Sequence, residues 1–289
     1  MIKAEIIADS ISPAGKRLTT FLLVIPRIVL AEFNTHRAIS RNSASSRAIP
    51  FEKMVAKVEE TPFIPKAFQK DHKGMQGTEY FTDVEELKVL NKEWLEARDA
   101  AVKQARKLST LGVTKQIVNR LLEPFLYHTI IATASDWENF FALRAHNAAE
   151  IHIADVAYKM LDCYNKSTPK VLMDWEWHVP FGGKMDDDRV EQVWHTNTHG
   201  KSLEQVKVMI ATARCARVSY MNYEGKDDYK ADIKLHDILS DMGHWSPFEH
   251  CAQACPHGVS RRSGNFDGFV QYRKKFSFEN KVDDRVEEK

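Results

Sequence analysis

The chain has 289 residues, 43% hydrophobic and 28% charged, the composition of a folded protein, which excludes wholesale disorder and fibrous architecture. Lys and Arg total 41 against 40 for Asp and Glu, and a formal charge of +1 cannot supply the long-range field of non-specific nucleic-acid binding, so none is expected. Apolar runs fall far short of the roughly 20 residues of a membrane span, and Glu5 and Asp9 interrupt the stretch where a secretory signal is unbroken, so a cytoplasmic protein is expected.

Residues 2–8 and 17–25 carry the β-branched and aliphatic residues of strands, and Pro26 is placed to open a helix that turns Ile28, Leu30 and Phe33 toward a core. A polar loop follows from Thr35 to Ser46. Thr82 with Glu85 makes a capping-box pattern, and Leu87, Leu90, Trp94, Ala101, Ala105 and Leu108 keep helical spacing until Gly112. A second helix is predicted from Thr114 to Pro124. The segment from Phe125 to Thr133 fits either a strand or a buried helix. Ser135 with Glu138 is another capping-box pattern, before Trp137, Phe140, Phe141 and Leu143, and helical spacing resumes from Ala149 to Cys163. Residues 174–200, with Gly182, Gly183 and the acidic run Asp186 to Asp188, read as an irregular surface excursion. Helices are predicted from Ser202 and Gln205 and around Ile233 to Met242, the latter closed by Gly243, and residues 281–289 form a charged tail. With no repeat and no linker, one domain is expected.

The loop HRAISRNSASSR, His36 to Arg47, is dense in hydroxyl and guanidinium donors that suit a phosphate. Its other reading is a surface loop whose serines make turn bonds. Further arginines at 120, 144, 214 and 217 have the chemistry to converge on one anionic site. His250, Cys251, Cys255 and His257 are zinc-type donors in a spacing that matches zinc fingers poorly, so packing is the preferred reading and no metal is expected. No glycine-rich nucleotide loop, P-loop or hydrolase nucleophile motif is present.

The stretch THRAISRNSASSR, Thr35 to Arg47, resembles the signature RHRxxSxNExSxR of the flavin-dependent thymidylate synthases, the thymidylate synthase complementing proteins. Thr35 stands for the first Arg and Ser43 for the Glu. GVTKQIVNRLLEP, Gly112 to Pro124, and DWENFFALR, Asp136 to Arg144, resemble later helices of that family. RCARVSY, Arg214 to Tyr220, and GHWSPFEH, Gly243 to His250, resemble segments that precede the signature in relatives, so the chain is similar to a circularly permuted, phage-type member.

The resemblance implies an α+β fold, a mixed or antiparallel sheet flanked by helices. It divides one catalytic domain into 1–165 with the signature loop, a connecting excursion at 166–202, the transposed part at 203–280 and the tail. It also implies a methyltransferase that makes dTMP from dUMP, with methylenetetrahydrofolate as carbon donor, FAD as hydride carrier and NADPH as reductant. Ser45, Arg47 and Arg120 are then expected on the dUMP phosphate, and His36, Arg37, Arg144, Ser219, His244 and Ser246 on the flavin. A homotetramer with shared active sites is implied too. Ala154 stands where relatives carry an arginine near the pyrimidine, with His152 or Glu150 as candidate compensators. That loss and Ser43 leave open a hydroxymethylase, a dCMP methylase or a non-catalytic nucleotide-binding relative.

Overall fold

In the computed structural model, residues 1–74, 77, 79–197, 200–220, 228–259 and 261–280 are described; the charged tail lies outside them. Strands β1 (Lys3–Ile11) and β2 (Arg17–Pro26) form an antiparallel hairpin whose turn uses Gly15 at φ 76°. Beyond Pro26 a 3₁₀ turn leads into α1 (Leu30–Asn34); Val29 and Phe33 are buried there, whereas Ile28 points outward. The loop predicted at 35–46 contains strand β3 (Ser40–Ser43). Helix α2 (Phe51–Glu60) precedes α3 (Val84–Thr110), whose N-cap is Asp83 rather than Thr82: the Asp83 carboxylate accepts from the N–H groups of Glu85 and Glu86.

The predicted second helix is α4 (Lys115–Val118), tightening into a 3₁₀ segment that carries Pro124 and ends at Phe125. The ambiguous stretch is strand β4 (Tyr127–Ala134). Helix α5 (Glu138–Arg144) has no side-chain cap, because the Ser135 hydroxyl instead accepts from the Asp267 N–H at 2.9 Å. Helix α6 (Ile151–Lys166) starts under the Glu150 carboxylate. The short strands β5 (Lys170–Val171) and β6 (Trp177–His178) follow. The acidic run is no loose turn: it opens α7 (Asp187–Asn197), with Asp186 accepting from the Arg189 N–H at 3.1 Å. Ser202 and Gln205 form a complete capping box on α8 (Leu203–Arg217), and α9 (Tyr229–Asp241) ends before Gly243 at φ 69°. Strands β7 (Ala252–Ala254), β8 (Arg262–Ser263), β9 (Phe266–Asp267) and β10 (Phe269–Gln271) complete the described chain.

The main sheet has the order β3-β4-β2-β1-β5, antiparallel except for the β1–β5 pair, so the protein is α+β with a mixed sheet flanked by helices. Strands β2 and β4 are central and buried on both faces, which explains their nearly continuous apolar sequences. One face packs Phe21, Leu23, Ile130 and Ala132 against Phe33, Trp137, Phe140 and Met160 from α1, α6 and the region of α5. The other packs Leu22 and Ile131 against Cys215 and Val218 at the end of α8. Each fully buried Phe contributes about 1.5–3 kcal/mol of transfer free energy. A polar chain also crosses this interior: Ser10, His178, Thr20, Thr133 and His250 are linked in sequence at 2.8–2.9 Å.

Among the described residues no helix is long and apolar enough to cross a membrane.

Candidate active site

The serine and arginine loop is built from the edge of the sheet. Strand β3 pairs with β4 from Ser40, opposite Thr133, to Ser43, opposite Ile130, and Ala44 N–H still bonds Thr129 O at 2.9 Å. The chain then leaves the sheet. Ser45 N–H donates to Ser219 O at 2.9 Å, and the N–H groups of Ala48 and Ile49 return to Ser45 O. Asn119, fully buried, donates its amide to Ser46 O at 2.6 Å and Ile49 O at 3.0 Å. With the loop carbonyls satisfied internally, Ser45 and Arg47 line a cleft of about 780 Å³.

One wall of this cleft is cationic. Arg47, Lys115 and Arg120 lie along it. Lys115 is steadied by a bond to Ala48 O at 3.0 Å and Arg120 by its Nε–H on Gln116 O at 3.2 Å, which leaves the terminal nitrogens of Arg120 for a ligand. The carboxylate in the lining, Glu123, is already committed, accepting from Ser46 Oγ at 2.5 Å and Arg27 Nη2 at 3.1 Å. Arg41, half-buried on β3, donates to His36 O at 2.8 Å, and burial lowers its pKa. Among the described residues Arg47, Lys115 and Arg120 have no carboxylate partner, so this wall has the chemistry to attract an anion.

Part of the cleft lining comes from the far end of the sequence. Ser219, His244 and Ser246 form it, and Asn42 ties it to β3. The Asn42 amide donates to Cys215 O, 173 residues away, at 2.5 Å, while its oxygen accepts from the hydroxyls of Ser219 at 3.5 Å and Ser246 at 3.4 Å. Ser40 is held likewise, accepting from Gln271 Nε2 at 3.1 Å and Asn265 Nδ2 at 3.3 Å.

The remaining expected residues do not line this cleft. Arg144 Nε–H donates to His36 Nε2 at 3.0 Å and its Nη2 reaches Thr35 Oγ1 at 3.4 Å. That bond leaves the ring proton on Nδ1, and burial, then the charges of Arg144 and Arg41, lower the His36 pKa. Arg37 is exposed. Of the four distant arginines expected to converge, Arg120 alone reaches the cleft; Arg214 and Arg217 pair with the buried Asp232 at 3.7 and 2.6 Å. Ser43 lines the cleft, whereas Ala154 is buried in α6. Its candidate compensators are bound to each other: Lys66 N–H donates to His152 Nε2 at 2.9 Å, so Nδ1 carries the proton donated to Glu150 at 2.5 Å. Lys115, Arg27 and Glu123 were not anticipated, since no motif marks residues that converge only through the sheet edge and the 3₁₀ segment.

Burial pushes the Cys251 thiol up to about 12 and raises Cys215 and Cys255 as well, so these are packing residues rather than nucleophiles. Among the described residues no three His, Cys, Asp or Glu side chains are grouped to hold a metal.

A donor-rich loop leaving an edge strand, with cationic and hydroxyl groups gathered in one lining, gives the cleft the chemistry of an anion site. The chain belongs to the thymidylate synthase complementing protein family, whose model matches residues 10–170. The matched span contains His36, Arg37, Ser45, Arg47, Arg120 and Arg144 and stops short of Ser219, His244 and Ser246. Among solved structures, the UMP/dUMP methylase PolB from Streptomyces cacaoi is similar at 18% identity, in complexes with 5-Br UMP and with 5-Br dUMP. The TM-scores are 0.48 and 0.47, over 57% of this chain and 89% and 91% of that one. No curated protein matches the chain significantly.

Proposed function

We propose that the protein is a flavin-dependent methyltransferase that converts dUMP to dTMP, with methylenetetrahydrofolate as carbon donor and NADPH as reductant, acting in the cytoplasm as a single catalytic domain per subunit. The observation that carries this reading is the cationic wall of Arg47, Lys115 and Arg120 around Ser45, on the loop by which the chain resembles the family. Ser45, Arg47 and Arg120 hold the nucleotide phosphate through charge-assisted bonds. Asn42 keeps Ser219 and Ser246 in the lining beside the loop, so that segments far apart in sequence meet around the pyrimidine.

The residues present fit FAD. Ser219, His244 and Ser246 offer hydroxyl and imidazole groups to a polar ring edge, and the paired His36 and Arg144, with the exposed Arg37, form a second polar group outside the cleft. The chemistry a bound flavin supplies is hydride delivery to the transferred one-carbon unit. Two separate groups of flavin residues on one chain support a homotetramer in which neighbouring copies complete each site. The buried, protonated thiols support a reaction without a cysteine nucleophile.

A second reading of the same site is a pyrimidine hydroxymethylase or a dCMP methylase, favoured by Ser43 in the cleft lining and by Ala154. Mass spectrometry of dUMP and dCMP after anaerobic incubation with protein, FAD, NADPH and methylenetetrahydrofolate separates them. Methylated dUMP is expected. A hydroxymethyl or dCMP product moves the assignment to the second reading, and no product together with no bound FAD leaves a nucleotide-binding protein.

A further inference from the structure

A second cavity, of about 320 Å³, opens at the N-terminal end of α8, whose other end leads to Ser219 in the cleft. At 1.5 Å per residue the helix holds the two sites about 20 Å apart. The walls of this cavity are aromatic: Trp177 and Tyr272 meet edge to face at 5.4 Å, and Tyr272 and Phe276 at 5.1 Å. Buried Val208 and Met209 complete the apolar lining.

Two polar groups in the lining are unspent. The Lys275 ammonium lies 5.4 Å from the centroid of the Trp177 ring, on an exposed residue with no carboxylate partner among the described residues. Partial desolvation, then the nearby Arg261, lowers its pKa, the direction expected for a cation beside another cation and without a counter-ion. Gln253 on β7 is half-buried, and its side-chain amide has no hydrogen-bond partner among the described residues. Exposed Lys201 and exposed Glu204 also belong to the lining, which with Lys275 keeps a net positive charge.

We infer that this cavity binds a flat heteroaromatic anion. Stacking against Trp177, Tyr272 and Phe276 selects a planar ring. The Gln253 amide, a donor and an acceptor together, selects ring atoms that hydrogen-bond over a hydrocarbon edge, and Lys275 with Lys201 selects a negative tail. The volume lies at the low end of the roughly 300–1,000 Å³ of ligand pockets, which suits one heterocycle and its first charged group and excludes a dinucleotide. A nucleoside monophosphate and a folate share this chemistry.

The test uses the full chain carrying Arg47→Ala, which weakens the anion wall of the cleft, titrated by calorimetry with dTMP and separately with 5-formyltetrahydrofolate. At least one probe is expected to bind with one-to-one stoichiometry. Its affinity should fall about tenfold when Lys275→Gln is added and again when Gln253→Leu is added, as loss of one directed contact each predicts. Binding of dTMP assigns a phosphate tail and binding of the folate a carboxylate tail. The inference is overturned if neither probe binds, or if both added substitutions leave affinity unchanged in protein shown to be folded by circular dichroism. Binding is read without turnover, so the result is independent of the reaction assigned to the cleft.

Discussion

Asn42 and Ser246 are 204 residues apart in the chain, yet the Ser246 hydroxyl donates to the Asn42 side-chain oxygen at 3.4 Å. The same side chain binds Cys215 O and receives Ser219 Oγ, so one buried amide joins the edge strand to the end of α8 and to the turn at Ser246. Replacing it removes the partner of a buried carbonyl and frees the Ser219 and Ser246 hydroxyls together. Asn42→Ala is expected to destabilise the fold by about 1–3 kcal/mol and to weaken nucleotide binding, read by urea denaturation and by dUMP titration. A variant of unchanged stability and affinity would show that the walls are held by the backbone alone.

The cationic wall makes a different prediction. Arg47 and Arg120 are both exposed, and among the described residues neither has an ion-pair partner that its removal would strand. Arg47→Ala and Arg120→Ala should therefore leave the unfolding midpoint nearly unchanged while each weakens dUMP binding by about 1.5–3 kcal/mol. Binding of the uncharged nucleoside should change little, and dUMP affinity in the parent protein should fall with added salt. Equal losses for nucleotide and nucleoside would remove the phosphate from this wall.

His152 separates a structural role from a site role. Its ring is buried between Lys66 N–H and the Glu150 carboxylate, which also caps α6 through the N–H groups of His152 and Ile153. His152→Ala should cost about 1–3 kcal/mol of stability by unpairing Lys66 N–H and should leave dUMP affinity within error of the parent. A selective loss of dUMP binding, with stability intact, would return His152 to the site as a substitute for the arginine missing at Ala154.

The strands were legible where side chains alone specify them. Apolar β-branched runs marked β1 and β2, and β4 stayed ambiguous because a strand buried on both faces loses the alternation that distinguishes it from a buried helix. Strand β3 was not legible: Ser-Arg-Asn-Ser has poor strand propensity, and pairing with the free edge of β4 decides its conformation. Thr82 and Ser135 misled for a related reason. The neighbouring Asp83 carboxylate captured the first cap, and a backbone N–H from Asp267, distant in sequence, captured the second hydroxyl. In the site, Ser45, Arg47 and Arg120 could be named through the motif, as could Ser219, His244 and Ser246. Lys115 and Glu123 acquire their roles only when the 3₁₀ segment is folded beneath the loop.

Acid stability follows from three buried histidines. Burial lowers His128, His178 and His250 to about 3 in the fold; the charge of Arg27 adds to the effect at His128, and His178 adds to it at His250. An unfolded chain protonates each near its ordinary value of about 6.5. Their contribution is therefore fully present above about pH 6.5 and is lost as pH falls toward 3, because the unfolded state then binds protons the native state refuses. Each group adds a slope approaching about 1.4 kcal/mol per pH unit in the middle of that window. Urea midpoints measured between pH 7 and 4.5 should fall accordingly, and His178→Gln should flatten the fall while keeping polar atoms within reach of Ser10 and Thr20. A pH dependence unaltered by that substitution would mean that His178 is not titrating with unfolding.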